Sequence, residues 1–188
     1  MSSTLESAPI RAHRFSRERY ERMVDAGIFG ASDRVELLDG EIVEMSPRRS
    51  RHATAVSLVT DRLRRVVDAI GGCSLRTQLP LALDDKSEPE PDVAIVAGAP
   101  RAYRDRHPSS ATLVVEVSDT TLAYDRGRKL AAYARAGIAE YWVLDLAGAA
   151  LEVHRTPQGE RYVETRRLAA GEQVRWCGHD IGVDDLLP

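Results

Sequence analysis

Lysine is almost missing from this chain. Of its 26 basic residues only Lys86 and Lys129 are lysines, which leaves 24 arginines. Charge is therefore made from arginine, and a retained lysine is informative. Cysteine is as scarce: Cys73 and Cys177 stand far apart, outside any CxxC or Cys/His cluster. That fits a reducing compartment and argues against a structural zinc site. Aromatic residues make up 5% of the chain, too few for the stacking surfaces of a sugar-processing groove. No run approaches the roughly 18 apolar residues of a membrane span. The opening MSSTLESAPI has no basic stretch followed by an apolar core. The expectation is a soluble, cytoplasmic protein with no membrane partner. A net charge of -3 also excludes a globally basic nucleic-acid binder, so any such partner must be held by a local basic surface.

With 188 residues, 43% of them hydrophobic, the chain fits one globular domain preceded by a polar arm at residues 1–14. Ser16 before RERYERMVDAG predicts a capped helix, with Phe15 and Tyr20 as a hydrophobic staple and Gly27 at its end. In RVELLDGEIVEMS the Asp39-Gly40 pair predicts a hairpin. Val56, Val59, Leu63, Val66, Val67 and Ile70 recur at helical spacing and stop at Gly71-Gly72. CSLRTQLPLAL, PDVAIVA and TLVVEVS then read as strands, the last two apolar enough to be covered on both faces. A helix from Asp125 to Arg135 and a buried strand EYWVLDL complete a parallel crossover. ALEVHRT, RYVETRRL and EQVRW extend the sheet as antiparallel strands, and DIGVDDLLP reads as a docked turn of helix. The fold class is α/β.

Within this frame, Asp92 opens one buried strand and Glu116 sits inside the next, in Leu113-Val114-Val115-Glu116-Val117-Ser118. An ionised carboxylate left unpaired in such surroundings costs several kcal/mol, so a cation, a hydrogen-bond network or a metal must answer it. If the two strands are neighbours, Asp92, Glu116 and the Val117 carbonyl offer oxygen ligands to a hard cation such as magnesium. Lys129 follows on the next helix, where it can reach the sheet edge. A compact ammonium can orient or deprotonate an attacking water and stabilise charge on a phosphorane-like transition state.

These residues resemble a known family. Glu36 in VELLDGEIVEMSP, His52 after it, Pro91-Asp92, LVVEVS at 113–118, Asp125 to Lys129 and YARAGIAEYWVLD are similar to the Uma-type restriction endonucleases of the PD-(D/E)XK nuclease superfamily. The likeness covers roughly residues 15–155. It implies a restriction endonuclease-like mixed central sheet flanked by helices, with an N-terminal helix and hairpin and C-terminal antiparallel strands here. It also implies hydrolysis of phosphodiester bonds in DNA with magnesium or manganese. By position, Asp92 and Glu116 take the metal-ligand roles. Ser118 stands where the superfamily motif has lysine, so that role passes to Lys129. Glu36 offers a further acidic contact, and His52 faces the same pocket.

Other readings stand beside these. Asp92 could be a strand-end carboxylate, Glu116 could pair with Arg126 or Arg128, and Lys129 could be an exposed partner of Asp125. Glu36 could lie on the hairpin surface and His52 in a helix's solvated first turn. Residues 46–66 carry a net +5 through Arg48, Arg49, Arg51, Arg62, Arg64 and Arg65, which fits phosphate binding, reinforced by Arg101, Arg104 and Arg106. DDKSEPEPD adds four net negative charges next to the site, which favours cations. A homodimer is expected, since two sites related by a two-fold axis cut both strands of a duplex. The rival classes are an inactive nucleic-acid-binding or interaction module on the same fold, motivated by Ser118, and a carboxylate-pair glycosidase.

Overall fold

A computed structural model describes residues 11–30 and 32–188; most of the expected N-terminal arm lies outside them. Its centre is a six-stranded sheet in the order β3 (Cys73–Thr77), β4 (Val93–Ala97), β5 (Leu113–Ser118), β6 (Glu140–Asp145), β7 (Ala150–Gln158), β8 (Arg161–Ala169). Only β5 and β6 run parallel; the other neighbours are antiparallel. The parallel pair needs a crossover, supplied by a helical segment that lies on one face of the sheet. Side chains alternate across that sheet as strand geometry requires. Val93, Ile95, Leu113, Val115 and Val117 face the long helix α2 (Ser50–Ile70), which buries Val56, Val59, Leu63, Val66 and Val67 against them. Ala94, Val96, Val114 and Val143 face the other way, onto Tyr133, Ala134 and Ile138 of the crossover. Glu116 shares the parity of Val114 and so points into the second layer.

The local signals explain most elements. Ser16 accepts a hydrogen bond from the Arg19 amide and starts α1 (Arg17–Asp25), whose Tyr20 is buried with its ring 5.9 Å from Phe29. Strands β1 (Val35–Leu38) and β2 (Glu41–Glu44) meet at Asp39 and Gly40, both at positive φ, which gives the tight hairpin the pair predicts. A Cβ on Gly40 would lie 2.9 Å from Arg14 Cβ and 3.0 Å from the Phe15 carbonyl oxygen, at a φ of +76°. Gly40→Ala is therefore expected to cost about 1–3 kcal/mol, read as a lower urea midpoint. An unchanged midpoint would show that the hairpin does not hold the chain before α1.

Four expectations change in detail. The strand predicted over CSLRTQLPLAL stops at Thr77, because Gln78 turns left-handed and Pro80 cannot continue a ladder. Ile70 falls off the apolar stripe of α2 and is exposed. EQVRW does not extend the sheet: β9 (Gln173–Trp176) pairs with β10 (His179–Gly182) in a separate hairpin whose Val174, Trp176 and Ile181 cap the α2 layer. The end predicted as a helical turn is β10 followed by non-helical turns. Its Ile181, Val183 and Leu186 pack with Val174 and Trp176 into the core layer that α2 covers.

The crossover departs most from expectation. Instead of one helix from Asp125 to Arg135, it comprises α3 (Leu122–Tyr124), a π turn (Asp125–Lys129) and α4 (Leu130–Arg135). Both ends of the π turn are buried, and π turns recur at functional sites.

Candidate active site

Strand β4 lies beside β5 with Val93 opposite Val115, so Asp92 enters the sheet next to Glu116 and Val117. Asp92 Oδ2 accepts from the Val117 amide at 2.9 Å and contacts His52 Nε2 at 3.2 Å, while Oδ1 accepts from Gln78 Nε2 at 3.0 Å. Burial pushes the Asp92 carboxyl up, but these partners, His52 first, hold it below its ordinary range. One strand over, Glu116 Oε1 accepts from Lys129 Nζ at 2.9 Å and from the Tyr133 hydroxyl at 2.7 Å. Its Oε2 has only a 3.4 Å contact from the Asp92 amide.

Lys129 is 1% exposed and Glu36 is 0% exposed. The two meet at 3.3 Å. Glu36 is not a hairpin surface residue: β1 turns it inward, where it accepts from Tyr124 at 3.1 Å and from the Glu90 amide at 3.0 Å. Nor is Lys129 an exposed partner of Asp125. Arg126 and Arg128, the alternative partners of Glu116, turn outward to Glu152 and to Glu41. Two carboxylates, Glu36 and Glu116, thus contact one lysine ammonium, and Asp125 is close enough to act on it as well. Burial, helped by Asp92, Asp125 and Glu36 against Lys129, pushes the Glu116 carboxyl up to about 8. Burial alone would lower Lys129, yet Glu116, Glu36 and Asp125 hold it well above the usual lysine range, so it stays charged.

Asp92, Glu116, Val117, Asp125, Lys129 and His52 line one cavity of about 210 Å³. Glu36 stands behind Lys129 and is not part of the wall. The rim is formed by Met45–Arg49, Arg34 and Asp119–Thr121. Among the expected phosphate-binding arginines, Arg48 and Arg49 are at the rim. Arg51 and Arg62 are not: they tie α2 to the Leu146 carbonyl and to Asp180 and Asp185. Arg101, Arg104 and Arg106 leave β4 at its far end, away from Asp92, because β4 runs from Val93 to Ala97 before their loop begins.

Several site residues escape a reading of the sequence. Asp125 accepts from the hydroxyls of Ser118 and Thr121, the latter at 2.6 Å, so the serine at the expected lysine position holds this carboxylate in place. Tyr133 and Tyr124 do not stand out in the sequence, yet their hydroxyls fix Glu116 and Glu36. Gln78 follows a strand with no distinguishing pattern. The only usable signal was Asp125 preceding a rare lysine by four residues.

The donors present fit a hard divalent ion. Oxygen atoms of Asp92 and Glu116 face one polar cavity, and the negative groups there outnumber the cationic ones. Among the described residues no three His, Cys, Asp or Glu side chains converge as a complete cage. Magnesium does not require one, since it is held by one or two carboxylates plus waters and phosphate oxygens.

Comparison with known proteins places this geometry. The chain is similar to a solved structure described as a putative nuclease belonging to DUF820 from Anabaena variabilis, at 16% identity and a TM-score of 0.66, over 83% of this chain and 90% of that one. That likeness shows that the two chains share a fold. No curated protein matches the chain. The Uma2 family model, described as "Putative restriction endonuclease", matches residues 17–177, a span that holds Glu36, His52, Asp92, Glu116 and Lys129. The chain therefore belongs to the Uma2 family.

Proposed function

We propose that this protein is a metal-dependent endonuclease that hydrolyses phosphodiester bonds in DNA. Asp92 and Glu116, with the Val117 carbonyl, would hold magnesium or manganese, and Lys129 is the catalytic ammonium. The observation that carries this reading is the buried Lys129 Nζ, held 2.9 Å from Glu116 at the floor of the cavity that Asp92 also lines. A fully buried lysine among carboxylates costs desolvation that an apolar residue would avoid, so its retention points to chemistry.

When bound, the divalent ion supplies Lewis acidity to a phosphoryl oxygen and lowers the pKa of water. The chain's residues do the rest. Lys129 keeps its proton, so it orients the attacking water and meets charge developing on phosphate rather than acting as a base. Tyr133 and Lys129 together fix Glu116 Oε1, leaving Oε2 toward the cavity. His52, Gln78 and the Val117 amide fix Asp92. Arg34, Arg48 and Arg49 offset the acidic floor for a polyanionic substrate. A homodimer belongs to this proposal only where both strands of a duplex are cut.

The test is nicking of supercoiled plasmid and cleavage of a single-stranded circle in Mg²⁺ or Mn²⁺, with Asp92→Ala and Lys129→Ala alongside. Wild type should cut and both variants should lose at least about 10²-fold. Equal cutting by all three would remove the proposed site, and no cutting by wild type would favour a binding module on the same fold.

A further inference from the structure

The substrate's strandedness is legible in what surrounds the cavity, given the nuclease reading above. Asp92 and Glu116 are nearly buried, and Lys129 lies below them. Together with Met45–Arg49 and Asp119–Thr121 they line a recessed space of about 210 Å³. A duplex presents its phosphates on a stiff, convex cylinder. To reach these buried groups it must push one phosphate into the recess while its second strand stays outside. A single strand bends freely and can thread a phosphate in.

The charge distribution points the same way. Duplex binders typically engage about 6–10 phosphates, which takes an extended basic surface. Here the cavity's cationic rim consists of Arg34, Arg48 and Arg49. Arg34 also donates to the Ser46 carbonyl at 2.6 Å, which sets the wall that carries the other two. The other candidates are used inside the fold or stand away from the cavity: Arg51 and Arg62 hold α2 to the rest of the fold, the exposed Arg64 and Arg65 lie about 18–20 Å beyond His52 along α2, and Arg101, Arg104 and Arg106 follow the far end of β4. Two further acidic residues, Asp119 and Glu90, also line the space. Apart from the His52 imidazole no aromatic ring lines the cavity, so the grip falls on phosphates rather than on stacked bases.

We propose that the site takes single-stranded nucleic acid, a free strand, flap or unpaired stretch, gripped at about three phosphates by Arg34, Arg48 and Arg49. Binding is then tolerant of sequence and only mildly dependent on salt. Three phosphate contacts on a single strand give a slope of about −2 in log K against log salt, whereas a duplex binder with 6–10 contacts shows roughly −5 to −9.

The experiment uses the full chain in Ca²⁺ with a fluorescent 15-nucleotide single strand, as DNA and as RNA, and the same DNA sequence as a duplex. Anisotropy is followed from 25 to 300 mM NaCl, and cutting of the same oligonucleotides is followed in Mg²⁺. The proposal expects single strand to bind at least about 10-fold tighter than duplex, with a slope of about −2. Arg48→Ala, at an exposed loop position, should reduce that slope by about 0.7 and leave the melting temperature unchanged. The DNA and RNA arms decide which sugar is accepted, and binding of either as a single strand supports the proposal. Duplex bound as tightly as single strand, a slope beyond −5, an Arg48→Ala slope equal to wild type, or no binding of any strand would each overturn it. Single-strand binding without cutting in Mg²⁺ would instead sink the nuclease reading and leave this one standing.

Discussion

Lys129→Ala is expected to abolish cleavage and to destabilise the protein. For activity, losing the ammonium beside the phosphate should reduce cleavage by about 10³-fold or more, on the order of 4 kcal/mol of transition-state stabilisation. For stability, the deletion leaves Glu116 and Glu36 without the cation they share, at 2.9 and 3.3 Å. Removing one partner of a buried ion pair typically costs about 3–5 kcal/mol. At roughly 2–4 °C per kcal/mol for a chain of this size, the melting temperature should fall by about 6–20 °C. Lys129→Arg keeps the charge but cannot fit the space of a lysine that is 1% exposed, so it should recover little activity. Wild-type cleavage by Lys129→Ala would remove the lysine from the mechanism.

Glu116→Gln should separate function from stability in the opposite sense. In the folded, metal-free protein, burial holds the Glu116 carboxyl near 8, against an ordinary value of 4.5. Between those values the folded state binds more protons than the unfolded state. Stability therefore falls as pH rises from about 4.5 to about 8, and this group adds no slope outside that window. Glutamine carries no such proton. In metal-free buffer the variant should match wild type near pH 4.5 and melt higher near pH 8, by on the order of a few kcal/mol at 1.36 kcal/mol per pKa unit. Lys129 stays charged across the whole window, so it contributes no slope there. Added Mg²⁺ should raise the wild-type melting temperature and leave the variant unmoved. A variant less stable than wild type at pH 8 without metal would show that Glu116 contributes more to holding Lys129 than its own burial costs.

The opposing outcomes for these two residues reflect how the site was legible. Glu116 announces itself because a carboxylate in an apolar strand violates the strand's own pattern. Lys129 does so because this chain otherwise chooses arginine. Both are departures from a local rule, and such departures cluster at functional sites. Asp92 gains meaning only once β4 and β5 are neighbours, which two adjacent apolar runs already imply. Asp125 shows in the sequence only as a helical neighbour of Lys129 four residues on, and the Ser118 and Thr121 hydroxyls that hold it inward leave no mark in helical spacing. Tyr124 and Tyr133 were hidden differently. Hydrophobic periodicity reports where a ring packs and says nothing of where its hydroxyl ends. Glu36 looked like half of an alternating hairpin, and its burial follows from Leu37 pairing with Glu88, a contact 51 residues distant that no local pattern encodes.

The same division holds for the fold. Strands β4, β5 and β6 and helix α2 were plain in the sequence because each has one dominant period and clear ends. The β9–β10 hairpin and the early end of β3 were not, because strand partners and a left-handed Gln78 are settled by tertiary contacts. The arginine run was overread for a related reason. Charge counts along a chain do not show that Arg51 and Arg62 point back into the protein.

The central claim is that Asp92 and Glu116 hold a divalent metal beside Lys129. Anomalous diffraction from a manganese-soaked crystal tests it most directly. One strong peak is expected in the cavity, within about 2.1–2.2 Å of an oxygen from each of Asp92 and Glu116, with Lys129 still on Glu116 Oε1. A peak bound elsewhere, or an empty cavity in crystals of protein that cleaves DNA in manganese, would contradict it.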